Sequence, residues 1–191
     1  MIANLDYYFL PPEEYLERER KSPNKHEYIR GQIYAMAGAS RAHTLIVLNL
    51  ATLLRNHLRG SGCIPYTTDM KVRLETTNAY FYPDIVVSCD ARDRDSLTRD
   101  FICYPCLVVE VLSSTTAAFD RGDKFAEYRS LETLQEYVLI DQEQMAVDCF
   151  RRNSEGFWVL YPYRKRDEVD LSSIDFRCVI ESLYEDVIEN I

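Results

Sequence analysis

The segment CLVVEVLSS, residues 106–114, places one carboxylate, Glu110, in the middle of a run of apolar residues. A nearly continuous apolar run of this length is typical of a strand that is covered on both faces of a sheet. A buried carboxylate without a partner is energetically costly, so such a group is protonated, paired with a cation or bound to a metal. The segment therefore predicts a central strand that carries a group in need of a partner.

The composition is that of a globular protein. The chain has 191 residues, of which 47% are hydrophobic and 28% are charged,. This length suits one ordinary domain, and no Pro-, Gly- or Ser-rich stretch separates two halves, so we expect a single domain over residues 1–191. The N-terminal segment does not resemble a signal peptide, and no stretch reaches the roughly 18 apolar residues of a membrane span. We therefore expect a soluble, cytoplasmic protein without a membrane partner.

The charge of the chain restricts its partners. There are 22 basic and 31 acidic residues, which gives a net charge of −9. This balance argues against a broad electrostatic attraction to nucleic acids or anionic membranes. Nucleic-acid binding would therefore need a local basic patch or bound metal cations.

The six cysteines do not suggest a metal site. Cys103 and Cys106 form a single CxxC pair, and no second pair or nearby histidine completes a zinc site,. The other cysteines lie in apolar segments, where cysteine behaves as a small buried hydrophobic residue. We therefore expect reduced thiols in the core.

Local sequence patterns predict helices packed against a mixed sheet. Segment 41–60 carries leucines on one wide face and ends at Gly60, as an amphipathic helix does,. Apolar segments rich in β-branched and aromatic residues alternate with helical ones, which indicates an α/β (α+β) fold. The predicted elements are a helix at 11–21, a hairpin at 26–38, the helix at 41–60, strands at 63–75, 80–88, 106–114 and 136–141, a short helix that begins near Asp123, a hairpin about Asn153–Gly156, and a helical tail at 180–191.

Two acidic residues fall on neighbouring predicted strands. Asp84 follows Pro83 at the start of DIVVS, and Glu110 lies within the strand that comes next along the chain. The chain between them is long enough to return, so both carboxylates can meet at one edge of the sheet. Paired carboxylates on rigid strands suit a hard cation such as Mg²⁺, which takes oxygen ligands. The alternative is structural, with Asp84 capping a turn and Glu110 paired with an arginine.

A series of motifs in fixed order resembles a known family. The resemblance covers roughly residues 11–190 and is most specific between Pro83 and Asp141. The motifs are HEYIRGQIYAMAG (26–38), His43 with the leucine-rich helix, YPDIVVS (82–88), CLVVEVLSSTT (106–116) and DRGDKFAEYRSLETLQEYVLID (120–141). On these motifs the chain is similar to the Uma-type restriction endonucleases of the PD-(D/E)XK nuclease superfamily, which implies a restriction-endonuclease-like fold.

The resemblance implies a set of site residues. Asp84 matches the acid of the PD element and Glu110 matches the second acid, and both would bind the metal. Glu27 matches an early acid that often assists the metal site. The superfamily pattern has a lysine two positions after the second acid, where this chain has Leu112. Lys124 is the candidate replacement, since some members supply this lysine from the helix that follows the strand.

The lysine assignment has alternatives. An ammonium near the metal would orient the attacking water or offset charge on the phosphate. Lys124 could instead be a solvated lysine in the first turn of its helix. Lys71 is a weaker candidate, because the alternation around it suggests an outward polar position.

Two further residues are candidates for substrate binding. His43 lies in the first turn of the long helix and could contact a phosphate or transfer a proton, or it could simply bond to the helix start. Tyr128 comes four residues after Lys124 and can share a helix face with it. Its ring could contact the substrate, although a position bordering the core is favoured.

Taken together, the residues and the resemblance indicate a metal-dependent endonuclease that uses Mg²⁺ or Mn²⁺ to hydrolyse nucleic acid, with DNA as the expected substrate. A homodimer is expected by analogy with restriction-like folds. The alternative is a nuclease-fold module that has lost cleavage and binds nucleic acid or a protein partner. Leu112 and the charge of −9 favour that alternative. A sugar hydrolase would need an acid pair across an open cleft. The apolar surroundings of Glu110 suit a metal site better than such a cleft.

Overall fold

The computed structural model describes residues 9–95 and 99–187 and has a mixed α+β architecture, as the sequence predicted. Within these residues the helices are α1 (Pro12–Glu19), α2 (Arg41–His57), α3 (Ala91–Arg94), α4 (Ala117–Arg121) and α5 (Asp123–Tyr128). The strands are β1 (His26–Ile29), β2 (Gln32–Ala35), β3 (Ile64–Thr67), β4 (Lys71–Leu74), β5 (Ala79–Phe81), β6 (Ile85–Ser88), β7 (Phe101–Ile102), β8 (Leu107–Leu112), β9 (Glu136–Asp141), β10 (Ala146–Arg152), β11 (Trp158–Arg164), β12 (Glu168–Leu171) and β13 (Phe176–Val179).

A six-stranded mixed sheet forms the centre of the molecule. Its strand order is β11-β10-β9-β8-β6-β3, so β8 lies in the interior, antiparallel to β6 and parallel to β9. Every residue of β8 is buried. The prediction that CLVVEVLSS contains a central buried strand is therefore confirmed.

The two faces of β8 meet different helices. Val109 and Val111 belong to the core cluster that contains the apolar residues of α2. Val108 and Leu112 belong to a second cluster, with residues of α5 such as Phe125. Because side chains alternate along a strand, Glu110 points to the same face as Val108 and Leu112, which is the face covered by α5.

A five-stranded sheet carries the early acid. Its order is β2-β1-β5-β4-β7, and Glu27 lies in β1, the second strand from one edge. On one side, Tyr15 of α1 stacks on Tyr28 with ring centroids 4.9 Å apart and also packs near Tyr80. These aromatic contacts hold α1 against the sheet and fix the position of β1.

Two predicted strands each divide between the two sheets. Segment 63–75 becomes β3 and β4, separated by a turn in which Thr68 has a φ of 40°. Segment 80–88 becomes β5 and β6, which are separated by Tyr82, Pro83 and Asp84. Proline has no N–H with which to continue a strand ladder. The chain therefore changes sheets at this point, and Asp84 lies at the junction.

The region after β8 has one helix more than predicted. A helix begins at Asp123 as expected, but α4 precedes it. Gly122 separates the two helices, and its backbone (φ −109°, ψ −98°) is not helical. The predicted helical tail is wrong over its described part, where residues Ile180–Leu183 form one 3-10 turn followed by further turns up to residue 187. Residues 188–191 of that prediction lie outside the described residues.

The prediction of reduced cysteines is wrong for one pair. Cys63 and Cys89 form a disulfide. Their neighbours Ile64 and Ser88 are paired across β3 and β6, so the ends of the two strands bring the cysteines together. Cys149 is free and fully buried in the core, as expected. None of the helices in residues 9–95 and 99–187 is long and apolar enough to cross a membrane.

Candidate active site

Asp84 is fixed directly beside the strand that carries Glu110. One of its carboxylate oxygens, Oδ2, accepts a hydrogen bond of 2.7 Å from the backbone N–H of Val111. The other, Oδ1, lies 2.8 Å from Nε2 of His43. Because Val111 follows Glu110, Asp84 is bonded to the backbone of the residue next to Glu110, on an interior strand of the six-stranded sheet.

The ammonium of Lys124 lies among three carboxylates. Its Nζ is 2.9 Å from Oε1 of Glu27, 2.9 Å from Oε1 of Glu110 and 3.6 Å from Oδ1 of Asp120. Only 4% of the Lys124 surface is exposed. The alternative of a solvated lysine in the first helical turn is therefore wrong.

Lys124 reaches Glu110 because both lie on the same side of β8. The usual superfamily lysine would occupy position 112, which faces the same way as Glu110. Leu112 is buried there in the cluster that includes Phe125. Since α5 covers this face, a lysine in its first turn reaches Glu110.

Glu110 is a buried acid with one carboxylate oxygen that is not hydrogen-bonded to any described residue. Its Oε1 has no hydrogen-bond partner of normal geometry among the described residues, so the contact with Lys124 is a charge interaction. Burial raises the pKa of Glu110 well above its ordinary value, the Lys124 ammonium lowers it, and the neighbouring carboxylates raise it further. The carboxylate is thus incompletely compensated.

Glu136 shows what a fully compensated buried acid looks like in this fold. It lies on β9, next to β8, and is also completely buried. Its oxygens accept bonds from Arg151 Nε at 2.7 Å and from the backbone N–H groups of Ser172 and Ser173 at 3.1 and 2.9 Å. Both oxygens of Glu136 are therefore hydrogen-bonded, whereas Oε1 of Glu110 has no such partner among the described residues.

Asp120 was not singled out from the sequence. It lies in α4, is 4% exposed, and has its pKa raised by burial and lowered by the nearby Lys124. The available signal was its position four residues before Lys124 in DRGDK, a spacing at which side chains meet on helices. The intervening Gly122 obscured that relation.

The charges around Lys124 do not balance. Burial alone would lower the pKa of this ammonium, but Glu110, Glu27 and Asp120 together raise it above its ordinary value. Lys124 therefore stays charged, with three carboxylates for one ammonium. This group of side chains therefore has a surplus of negative charge.

Glu27 is connected to both sheets. The backbone N–H of Tyr82 donates to its Oε1 at 3.3 Å, and Lys124 contacts the same oxygen. Tyr82 precedes the junction at which the chain passes to β6. Glu27, which belongs to the five-stranded sheet, is therefore brought to the acids of the six-stranded sheet.

The two candidate substrate residues have different surroundings. His43 is held in the first turn of α2, where its backbone N–H bonds to Oγ of Ser40 and its ring contacts Asp84. Tyr128 is fully buried, with its ring centroid 5.4 Å from those of Phe81 and Tyr137. Its ring presents no surface to a substrate, which corresponds to the core position that the sequence favoured.

The expected outward position of Lys71 is wrong. Lys71 is buried, and its Nζ lies 3.2 Å from Oδ2 of Asp100 and 3.3 Å from the hydroxyl of Tyr82. The alternation rule fails because β4 is an interior strand of its sheet, so even its polar residue is covered. Lys71 belongs to an ion pair separate from the Lys124 group.

The donor set suits a hard divalent cation. Asp84 and Glu110 offer carboxylate oxygens, which Mg²⁺ and Mn²⁺ prefer. In the described part of the chain, no three potential ligands converge as a preformed metal cage. The ammonium of Lys124 lies 2.9 Å from Oε1 of Glu27 and 2.9 Å from Oε1 of Glu110. The buried Oε1 of Glu110 has no hydrogen-bond partner among the described residues.

Comparisons with known proteins agree with this architecture. A crystal structure described as "a putative nuclease belonging to DUF820" from Anabaena variabilis ATCC 29413 matches with a TM-score of 0.75. The match covers 92% of this chain and 98% of that chain, and its 16% identity supports a shared fold alone.

Two relatives come from Synechocystis sp. (strain ATCC 27184 / PCC 6803 / Kazusa). "Uncharacterized protein slr1290" is 43% identical over 175 residues, which cover 92% of this chain and 91% of the relative. "Uncharacterized protein sll1609" is 35% identical over 147 residues, which cover 77% and 83%, respectively.

The family assignment rests on most of the chain. A model of the Uma2 family, described as "Putative restriction endonuclease", matches residues 12–179. This range includes all the acids around Lys124, together with Lys124 itself. A nuclease function with a nucleic-acid substrate is the general role that this family description supports. The chain belongs to the Uma2 family of restriction-endonuclease-like proteins.

Proposed function

We propose that this protein is a divalent-metal-dependent endonuclease in which Asp84 and Glu110 hold Mg²⁺ or Mn²⁺. The observation that carries the proposal is the surplus of buried negative charge around Lys124. Three carboxylates contact one ammonium, and Glu110 keeps an oxygen without a hydrogen bond. Buried carboxylates need a proton or a cation, and a divalent ion supplies the missing positive charge.

Each residue has a distinct task under this proposal. Asp84 and Glu110 offer oxygens to the metal, and Glu27 supports the site through Lys124 and through the backbone of Tyr82. His43 holds one oxygen of Asp84 and so orients the carboxylate. When bound, the cation would lower the pKa of a water molecule and stabilise negative charge on the phosphate.

Lys124 would contribute through its positive charge. Its ammonium is kept charged by the surrounding carboxylates, so it can orient the attacking water or offset charge that develops on the phosphodiester,. Its position on α5 rather than on β8 meets the chemical need that Leu112 leaves open. We propose DNA as the substrate, bound with the help of the metal because the net charge of the chain is −9.

The test is cleavage of plasmid DNA, single-stranded DNA and RNA with Mn²⁺ or Mg²⁺, with and without a chelator. Asp84→Asn and Glu110→Gln should abolish metal-dependent cleavage. Asp148→Asn is the control, since this acid pairs with Arg121 and Arg164 outside the site, and it should leave cleavage unchanged. Cleavage that survives in Asp84→Asn would refute the assignment. A lack of cleavage of all three substrates by the unaltered protein would favour the non-catalytic binding module.

A further inference from the structure

We propose that the Lys124 ammonium occupies, in the metal-free protein, the place beside Glu110 that a divalent cation takes, and that Asp120 retains the ammonium when the cation displaces it. This inference rests on the proposed function, because it presumes that Glu110 is a metal ligand. It assigns to Asp120 the role of a positioning residue that acts through Lys124.

The two acids nearest Lys124 differ in their other partners. The ammonium lies 2.9 Å from Oε1 of Glu27 and 2.9 Å from Oε1 of Glu110. Oε1 of Glu27 also accepts a hydrogen bond from the backbone N–H of Tyr82, whereas Oε1 of Glu110 has no hydrogen-bond partner among the described residues. The oxygen of Glu110 is therefore the one that an entering cation can take without breaking a hydrogen bond, and Glu27 can keep its contact with Lys124.

Asp120 is placed to receive the displaced ammonium. Its Oδ1 is 3.6 Å from Nζ of Lys124, a distance that leaves room for a closer approach. Lys124 is the cation with which Asp120 forms an ion pair among the described residues. The backbone of Asp120 is also anchored, since the hydroxyl of Tyr137 donates to its carbonyl at 2.9 Å.

Electrostatics favours this exchange. A divalent cation bound at Glu110 repels an ammonium a few ångströms away, and this repulsion is strong in a buried site. A fixed carboxylate close to the ammonium offsets this repulsion. Without Asp120, the displaced ammonium would keep only Glu27 as an acceptor, so its displacement would be less favourable. Metal binding would then be weaker.

The experiment measures Mn²⁺ affinity by calorimetry and does not depend on cleavage. The variants are Lys124→Met, Asp120→Asn and the double variant, with Lys71→Met as the control for loss of a buried lysine. Lys124→Met should bind Mn²⁺ about tenfold more tightly or better, since a competing cation is gone. Asp120→Asn should bind it about tenfold more weakly. In the Lys124→Met background, the effect of Asp120→Asn should largely disappear, a coupling that loss of fold stability alone would not produce.

The outcomes separate this inference from the proposed function. Equal Mn²⁺ affinity of the unaltered protein and Lys124→Met would overturn the exchange and leave the metal site standing. An undiminished effect of Asp120→Asn in the Lys124→Met background would overturn the role of Asp120. Absence of binding in the unaltered protein and in Lys124→Met alike would overturn both proposals. If Lys124→Met does not fold, Lys124→Gln provides the same comparison with a polar side chain.

Discussion

Replacement of Lys124 by methionine separates the charge of this residue from its volume. Methionine keeps most of the buried aliphatic chain and removes the ammonium. Lys71→Met is a matched control, because Lys71 is equally buried and its described ion pair is with Asp100. Both variants lose one buried cation, but only the first loses it from the acids that include Glu110.

The structure sets the size of two effects. Loss of one partner of a buried ion pair costs about 3–5 kcal/mol. Lys124 is shared by Glu27 and Glu110, whose side chains are 12% and 5% exposed. We expect a loss of this order in the free energy of unfolding of metal-free Lys124→Met at neutral pH. The loss in Lys71→Met should be smaller, since one third of the Asp100 side chain is exposed to water,. Removal of a group that stabilises charge in the transition state should also slow cleavage by about 10²–10³-fold.

Urea denaturation and single-turnover cleavage with Mn²⁺ check the two effects separately. Cleavage is measured at a temperature at which both variants are folded, so that stability does not obscure the rate. Lys71→Met should cleave at nearly the unaltered rate. If Lys124→Met also cleaves at that rate, Lys124 does not replace the missing strand lysine. Equal losses of stability in the two variants would show that Lys124 compensates no more buried negative charge than Lys71 does.

Three further outcomes are expected. Burial raises the pKa of Glu110 above its ordinary value of 4.5, so the contribution of this acid to stability is present below that value and is lost as the pH rises through the raised pKa. The free energy of unfolding of the chelated protein should therefore fall by up to about 1.4 kcal/mol per pH unit above about pH 5. Glu110→Gln should remove this dependence in urea titrations. Glu136→Gln should destabilise the fold by about 3–5 kcal/mol by thermal or urea unfolding but leave the cleavage rate of folded protein unchanged, since its bonds are structural,. His43→Ala should reduce Mn²⁺ affinity or cleavage about 10–100-fold by loosening Asp84, whereas His57→Ala, whose ring contacts a backbone carbonyl, should have little effect,.

Features with a local cause could be predicted from the sequence. The apolar run around Glu110 predicted a buried strand, and the leucine pattern of residues 41–60 predicted α2. The family motifs also pointed to Lys124, and the structure places it beside Glu27 and Glu110. In the first two cases, residues close together in the chain determine the result, whereas Lys124 was found through the resemblance to the family.

Features that depend on distant pairing could not be predicted. The division of 63–75 and 80–88 between two sheets depends on which strands become neighbours, and alternation within one segment does not reveal this. The burial of Lys71 and the disulfide of Cys63 with Cys89 have the same origin. Asp120 escaped notice because its relation to Lys124 spans a helix break.

The short helix α5 makes the chemistry of this protein dependent on its hydrophobic packing. Lys124 does not share a strand with Glu110, so no ladder of backbone bonds fixes the distance between them. That distance is set by how Phe125 and Tyr128 seat the six-residue helix against the sheet. A smaller side chain at either position would replace none of the charged residues and would still move the ammonium of Lys124. The apolar core therefore also sets the distance between Lys124 and Glu110.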